Sequence, residues 1–110
     1  DGLLVPGGRA PEYLRNRPEV VAVARHFLDA RKPIAATCHA LLILAAAGSL
    51  QGRTLTCYPE LELDVRAAGG RFVNREVVVD DNLVTARAWP DNGPWMREFI
   101  RLLNARAKAT

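Results

Sequence analysis

The sequence predicts an α/β protein, a flavodoxin-like layered sheet with helices on both faces. Three observations carry that expectation. Short apolar runs such as Gly2-Leu3-Leu4-Val5 and Pro33-Ile34-Ala35-Ala36-Thr37 alternate with stretches of helical periodicity. The segment Ala40-Leu41-Leu42-Ile43-Leu44-Ala45-Ala46-Ala47 is apolar nearly all round, as a helix buried within a domain must be. Finally, the second strand meets that helix at Cys38 with no linker between them.

Taken in order, the opening strand is followed by a polar, glycine-bearing loop, Pro6-Gly7-Gly8-Arg9-Ala10-Pro11-Glu12. Asn16-Arg17-Pro18-Glu19 then carries a helix start: a capping side chain, an early proline and an acid in the first turn. Val20, Val23, Ala24, Phe27 and Leu28 keep helical spacing and form its apolar face. This helix stops before Lys32-Pro33, and Gly48 ends the central helix. Thr54-Leu55-Thr56-Cys57-Tyr58 reads as a short strand. Pro59-Glu60-Leu61-Glu62 opens another helix that Gly69-Gly70 closes. Glu76 to Asp80 and Asn82 to Arg87 form a hairpin about an Asp-Asn turn. The last helix starts at Asp91-Asn92-Gly93-Pro94 and turns Trp95, Phe99, Leu102 and Leu103 to the core.

Strand, sharp turn and helix with a cysteine at the corner is the geometry of a nucleophile elbow. Ala36 and Ala40, two residues either side of Cys38, are small enough to let strand and helix pass closely, as glycines do in G-x-S-x-G. A thiol there faces the positive end of the following helix, whose free N–H groups favour the reactive thiolate. The competing reading is a cysteine that merely ends a core strand, since free cysteine is among the most buried residue types. Gly7-Gly8 lies past the first strand, at the same carboxyl edge of a parallel sheet where ligands gather. The pair either turns an N–H toward a ligand or simply makes a tight turn.

Composition narrows the classes. The chain has 110 residues, 49% of them hydrophobic and 25% charged, and bounds the answer to one domain or a piece of one. A net charge of +3 is spread without a basic run or an aromatic-interleaved patch, which argues against nucleic-acid binding. No stretch has the apolar length of a membrane span. Two cysteines, Cys38 and Cys57, make neither a disulfide framework nor a zinc site, and no metal-ligand or phosphate-binding pattern calls for a cofactor. A reducing, cytoplasmic setting suits a free nucleophilic thiol, with Cys57 read as buried and inert. The two histidines are His26, placed off its helix's apolar face as a surface residue, and His39. With none in the C-terminal half, a class I glutamine amidotransferase triad has no base, and His39 is left as the partner for Cys38. Neighbours at a sharp turn point differently, so His39 need not touch Cys38.

Val5-Pro6-Gly7-Gly8-Arg9-Ala10-Pro11-Glu12, Lys32-Pro33-Ile34-Ala35-Ala36, Cys38-His39, Gly52-Arg53-Thr54-Leu55-Thr56 and Tyr58-Pro59 resemble the PfpI intracellular protease family. Glu76-Val77-Val78-Val79-Asp80 and Asn82-Leu83-Val84-Thr85-Ala86-Arg87 continue the resemblance, which runs from residue 1 to about Leu103. That family shares a superfamily with the parkinsonism-associated deglycase and has the class I glutamine amidotransferase-like fold. Ala40 stands where the family usually has glycine, which implies a tighter elbow. The resemblance implies Cys38 as nucleophile, His39 as base, and Glu12 as the acid that orients His39 from a neighbouring subunit. It implies the Gly8 and His39 backbone N–H groups as the oxyanion site and Tyr58 as a substrate hydrogen-bond donor. Two residues keep a plainer alternative: Tyr58 as a strand-end core residue, and Glu12 as a solvated loop residue capping the next helix. It further implies that residues 1–110 are the C-terminal portion of a single domain, whose N-terminal part, absent here, supplies a further glutamate beside Cys38. The expected activity is a cysteine-dependent hydrolase or lyase acting on a peptide, a dicarbonyl or a glycated adduct, as a peptidase, glyoxalase or deglycase. The expected assembly is a homo-oligomer with a shared active site. The non-enzymatic alternative is a stress-response redox sensor or holdase chaperone using the same cysteine.

Overall fold

The computed structural model describes residues 1–109. In chain order the strands are β1 (Leu3–Val5), β2 (Ile34–Thr37), β3 (Thr54–Leu55), β4 (Arg71–Phe72), β5 (Val77–Asp80) and β6 (Leu83–Ala86). The helices are α1 (Ala10–Leu14), α2 (Pro18–Asp29), α3 (Leu41–Ala47), α4 (Glu62–Ala67) and α5 (Asn92–Ala109). The main sheet runs β1-β2-β6-β5, and β3 pairs with β4 in a second, two-stranded sheet. β1, β2 and β6 are parallel, with Val5 opposite Ala36 and Thr37 opposite Ala86. β5 returns antiparallel to β6 through Asp81, whose φ of 54° makes the tight reversal.

Alternation along β2 and β6 divides the core into two layers. Ile34, Ala36 and Leu83 face Leu28 of α2, Leu44 of α3 and Val65 of α4. Ala35, Val84 and Ala86 face Trp95 and Phe99 of α5, with Leu102 and Leu103 packed half-buried at the margin. Both strands are therefore covered on both faces, the reason they read as continuous apolar runs. Trp95 also donates its Nε1–H to the Val84 carbonyl at 3.2 Å, which satisfies the indole inside the core. A helix of α3's seven residues would not persist alone in water; burial of Leu41, Leu42, Ile43, Leu44 and Ala47 holds it. Gly48, at φ 80°, ends it in the left-handed conformation that glycine adopts without penalty.

The structure corrects five local expectations. The loop after β1 contains a short helix, α1, with Pro11 in its first turn. Asn16 does not cap α2; the residue before Pro18 is Arg17, and Asn16 Nδ2 instead donates back to the Glu12 carbonyl at 3.3 Å. Pro18 takes the first helical position with no N–H to satisfy, and the N–H groups of Val20 and Val21 both turn to the Arg17 carbonyl at 3.1 Å. The strand over 54–58 ends at Leu55: Thr56 N–H leaves the ladder for Thr85 Oγ1 at 2.9 Å. Trp89–Asp91 forms a 3-10 turn ahead of α5, with Asp91 buried and accepting from Arg87 Nε at 3.2 Å. Of the expected α2 face, Val23 is 48% exposed, because it borders an apolar groove of about 440 Å³ along the free edge of β1.

Candidate active site

β2 delivers Cys38 to the carboxyl edge of the parallel sheet, between the loop that follows β1 and the residues that follow β6. Thr37 is still extended, whereas Cys38 has φ 57° and begins a 3-10 turn, Cys38–Ala40, that runs into α3. Positive φ costs a residue with a side chain roughly 1–2 kcal/mol, and such strain gathers at functional sites. Ala40 is completely buried at the crossing, so the small side chain expected there is needed.

Two residues approach the half-buried Cys38 side chain, and a third rests on one of them. The Cys38 Sγ and His39 Nδ1 atoms lie 3.2 Å apart, so the elbow brings consecutive side chains together. The ring of Tyr58 stacks on the imidazole with centroids 4.9 Å apart and planes at 23°. Gly7 approaches so closely that a Cβ there would lie 2.7 Å from Cys38 Cβ and 3.5 Å from Sγ. Gly8 follows at φ 84°, with open space around it. The resemblance points to Gly8, whereas the close approach belongs to Gly7, and the signal in the sequence is the glycine pair itself. The structure thus groups Cys38, His39, Tyr58 and the Gly7-Gly8 turn. It leaves Glu12 outside the group: Glu12 is exposed on α1, and its carboxylate has no partner among the described residues. His26 is exposed, with its Nε2 3.3 Å from Lys32 Nζ.

Tyr58 reaches the elbow through its main chain, donating its N–H to the Cys38 carbonyl at 3.3 Å. Cys57, just before it, is buried and donates its thiol to the Tyr58 carbonyl at 3.3 Å. Burial pushes the Cys57 thiol up to about 12, helped by the negative charges of Asp64, Cys38 and Glu62. Burial disfavours the thiolate, so Cys57 stays protonated at neutral pH and serves as a donor rather than a nucleophile. Limited iodoacetamide labelling at pH 7, read by peptide mass mapping, is therefore expected to mark Cys38 and spare Cys57. Cys57 labelling should grow with pH toward that high value. Preferential labelling of Cys57 at pH 7 would contradict this assignment.

The layered sheet, with a strand turning sharply into a helix at Cys38, defines a flavodoxin-like α/β protein. More narrowly, the model of the DJ-1/PfpI family matches residues 1–102, and the chain belongs to that family. It is 47% identical over 103 residues to Deglycase PH1704 of Pyrococcus horikoshii, covering 94% of this chain and 62% of that protein. Protein/nucleic acid deglycase 2 of Escherichia coli is 43% identical over 106 residues, covering 96% of this chain and 62% of its own length. Both matches span a little under two thirds of the relative. Among solved structures, a two-domain protein from Anabaena variabilis with DJ-1/ThiJ/PfpI-like and ferritin-like domains superposes with a TM-score of 0.91 at 29% identity, over 94% of this chain and 30% of that one. Schizosaccharomyces pombe DJ-1, at 24% identity, shares the fold with a TM-score of 0.78 over 96% of this chain and 54% of its own.

Proposed function

We propose that this chain carries the nucleophile of a cysteine-dependent hydrolase or lyase that attacks a reactive carbonyl, with a glycated or dicarbonyl adduct as the favoured substrate over a peptide. The observation that carries this reading is the strained corner at Cys38, with its sulfur 3.2 Å from His39 Nδ1. The deglycase names of the relatives support the substrate class. His39 takes the thiol proton as Sγ bonds to the carbonyl carbon, and the C=O electron pair moves onto oxygen. The backbone N–H groups of Gly8 and His39 serve as donors to that oxyanion. On a dicarbonyl, freed from a glycated adduct by loss of its amine, the adduct at the aldehyde has no leaving group. His39 moves the proton of the attacked carbon to the neighbouring carbonyl carbon, which converts the adduct, with no net change of oxidation state, into a thioester of a 2-hydroxy acid. Water then releases that acid and restores the Cys38 thiol. On a peptide, collapse of the adduct instead expels the amine, which receives the proton from His39, before the same hydrolysis.

Glu12 enters this scheme from a neighbouring subunit, where its carboxylate orients His39, so the working form is a homo-oligomer. Free thiols at Cys38 and Cys57 fit a reducing, cytoplasmic compartment. Turnover of methylglyoxal, of a methylglyoxal-modified amine and of a peptide reporter separates the substrate classes. Cys38→Ala is expected to reduce turnover by at least about a thousandfold while preserving the fold, as loss of a covalent nucleophile does. Retained turnover in that variant would end the nucleophile reading. No turnover of any carbonyl substrate, with protection of a client protein that depends on Cys38 oxidation, would replace it with the sensor or holdase role.

A further inference from the structure

Nothing in the local chain fixes the orientation of His39, because the terminal torsion of an imidazole is broad and roughly two-fold. Its ring is half-buried in a three-residue 3-10 turn, and its described contacts are the Cys38 sulfur on one nitrogen and the face of Tyr58. Tyr58 in turn is held through the peptide groups on both sides of its Cα. Its N–H donates to the Cys38 carbonyl at 3.3 Å, and its own carbonyl accepts from the buried Cys57 thiol at 3.3 Å. The phenol hydroxyl makes no hydrogen bond among the described residues, and the side chain is 38% exposed.

We infer that Tyr58 is a positioning residue whose ring, not its hydroxyl, holds the His39 imidazole with Nδ1 on the Cys38 sulfur. This rests on the reading of Cys38 as nucleophile. An aromatic face accommodates the flat imidazole in both states as the base gains and loses the proton. The backbone bond from Tyr58 to Cys38 makes the clamp self-registering: the residue that orients the base is tied to the residue the base serves. Cys57 completes it from below, which gives the second cysteine a structural task that needs its thiol protonated.

The test compares Tyr58→Leu with Tyr58→Phe in the full chain. The readouts are the rate of iodoacetamide alkylation of Cys38 at pH 7, and kcat and KM on the carbonyl substrate. Tyr58→Leu is expected to lower the alkylation rate and kcat by about two- to tenfold, the range of one aromatic pair, with little change in KM. Tyr58→Phe is expected to rescue both. A loss in Tyr58→Phe equal to that in Tyr58→Leu would assign the role to the hydroxyl and overturn the inference. Unchanged alkylation in Tyr58→Leu would overturn it as well. Tyr58→Trp, which keeps an aromatic face, guards against a folding defect: recovery there supports the clamp, and its failure beside a folded Tyr58→Leu of normal rate refutes it. Because alkylation needs no substrate, the wild-type protein lacking turnover would sink the carbonyl chemistry and leave the clamp to be judged by the alkylation contrast.

Discussion

Asp80→Ala is expected to unfold at a clearly lower urea concentration than the parent chain, a loss of roughly 2–4 kcal/mol. Asp80 ends β5 and serves two donors through one oxygen, Oδ2. Arg53 Nε donates to it at 3.3 Å, and the Thr54 N–H at 2.7 Å. The Arg53 side chain is only 9% exposed and that of Asp80 30%, so water screens this pair far less than a surface bridge. Removing the carboxylate leaves a buried guanidinium held by the Asp80 carbonyl at 2.7 Å and Asn82 Oδ1 at 2.8 Å, with a backbone donor orphaned beside it. The Arg53→Met/Asp80→Leu double variant should lie nearer the parent than Asp80→Ala does, since the cost is mainly that of an unpaired buried charge. Equal urea midpoints for Asp80→Ala and the parent would show that the network contributes nothing.

The network matters to the site through geometry. β3 makes two ladder positions with β4 and is otherwise tied to the β5–β6 hairpin by Arg53, Thr54 and the Thr56–Thr85 bond. The chain that leaves β3 carries Cys57 and Tyr58 to the elbow. Loosening Asp80 should therefore loosen the ring that rests on His39, and activity in Asp80→Ala should fall at temperatures where the fold still holds.

Legibility in the sequence tracked how local each determinant was. β2, α3 and the Cys38 corner were readable because an apolar strand and an apolar helix abut with only small residues at the crossing. The β5–β6 hairpin was readable from its Asp-Asn turn. β4 was not: Arg71-Phe72 has no periodicity of its own and becomes a strand only because β3 lies beside it. The truncation of β3 was likewise hidden, since it depends on the Thr85 hydroxyl, a partner 29 residues away. Within the site, Cys38, His39 and the glycine pair announced themselves by type and spacing. The contact between Cys38 and His39, the close approach of Gly7 and the stacking of Tyr58 did not, because each depends on the positive φ at Cys38 or on where β3 ends.

Mixing Glu12→Gln with Cys38→Ala subunits, each inactive alone, is expected to restore activity to about a quarter of the parent level, the share of intact sites in a randomly exchanged two-fold dimer. In a mixed dimer one site pairs an intact Cys38 with an intact Glu12 across the interface, and the other site has lost both. Half the dimers are mixed, which sets the fraction. Glu12 fits this role because its carboxylate stands exposed on α1, with no partner among the described residues, while α1 itself is anchored by the buried Pro11. His39 Nδ1 is engaged by the Cys38 sulfur, so the second ring nitrogen is the one a carboxylate from another subunit would meet. An acid there would hold the imidazole in the orientation the base needs. If Glu12 acts within its own subunit, mixing restores nothing even after subunit exchange is verified. If Glu12→Gln alone keeps normal turnover, Glu12 is a solvated helix residue and the shared site is wrong.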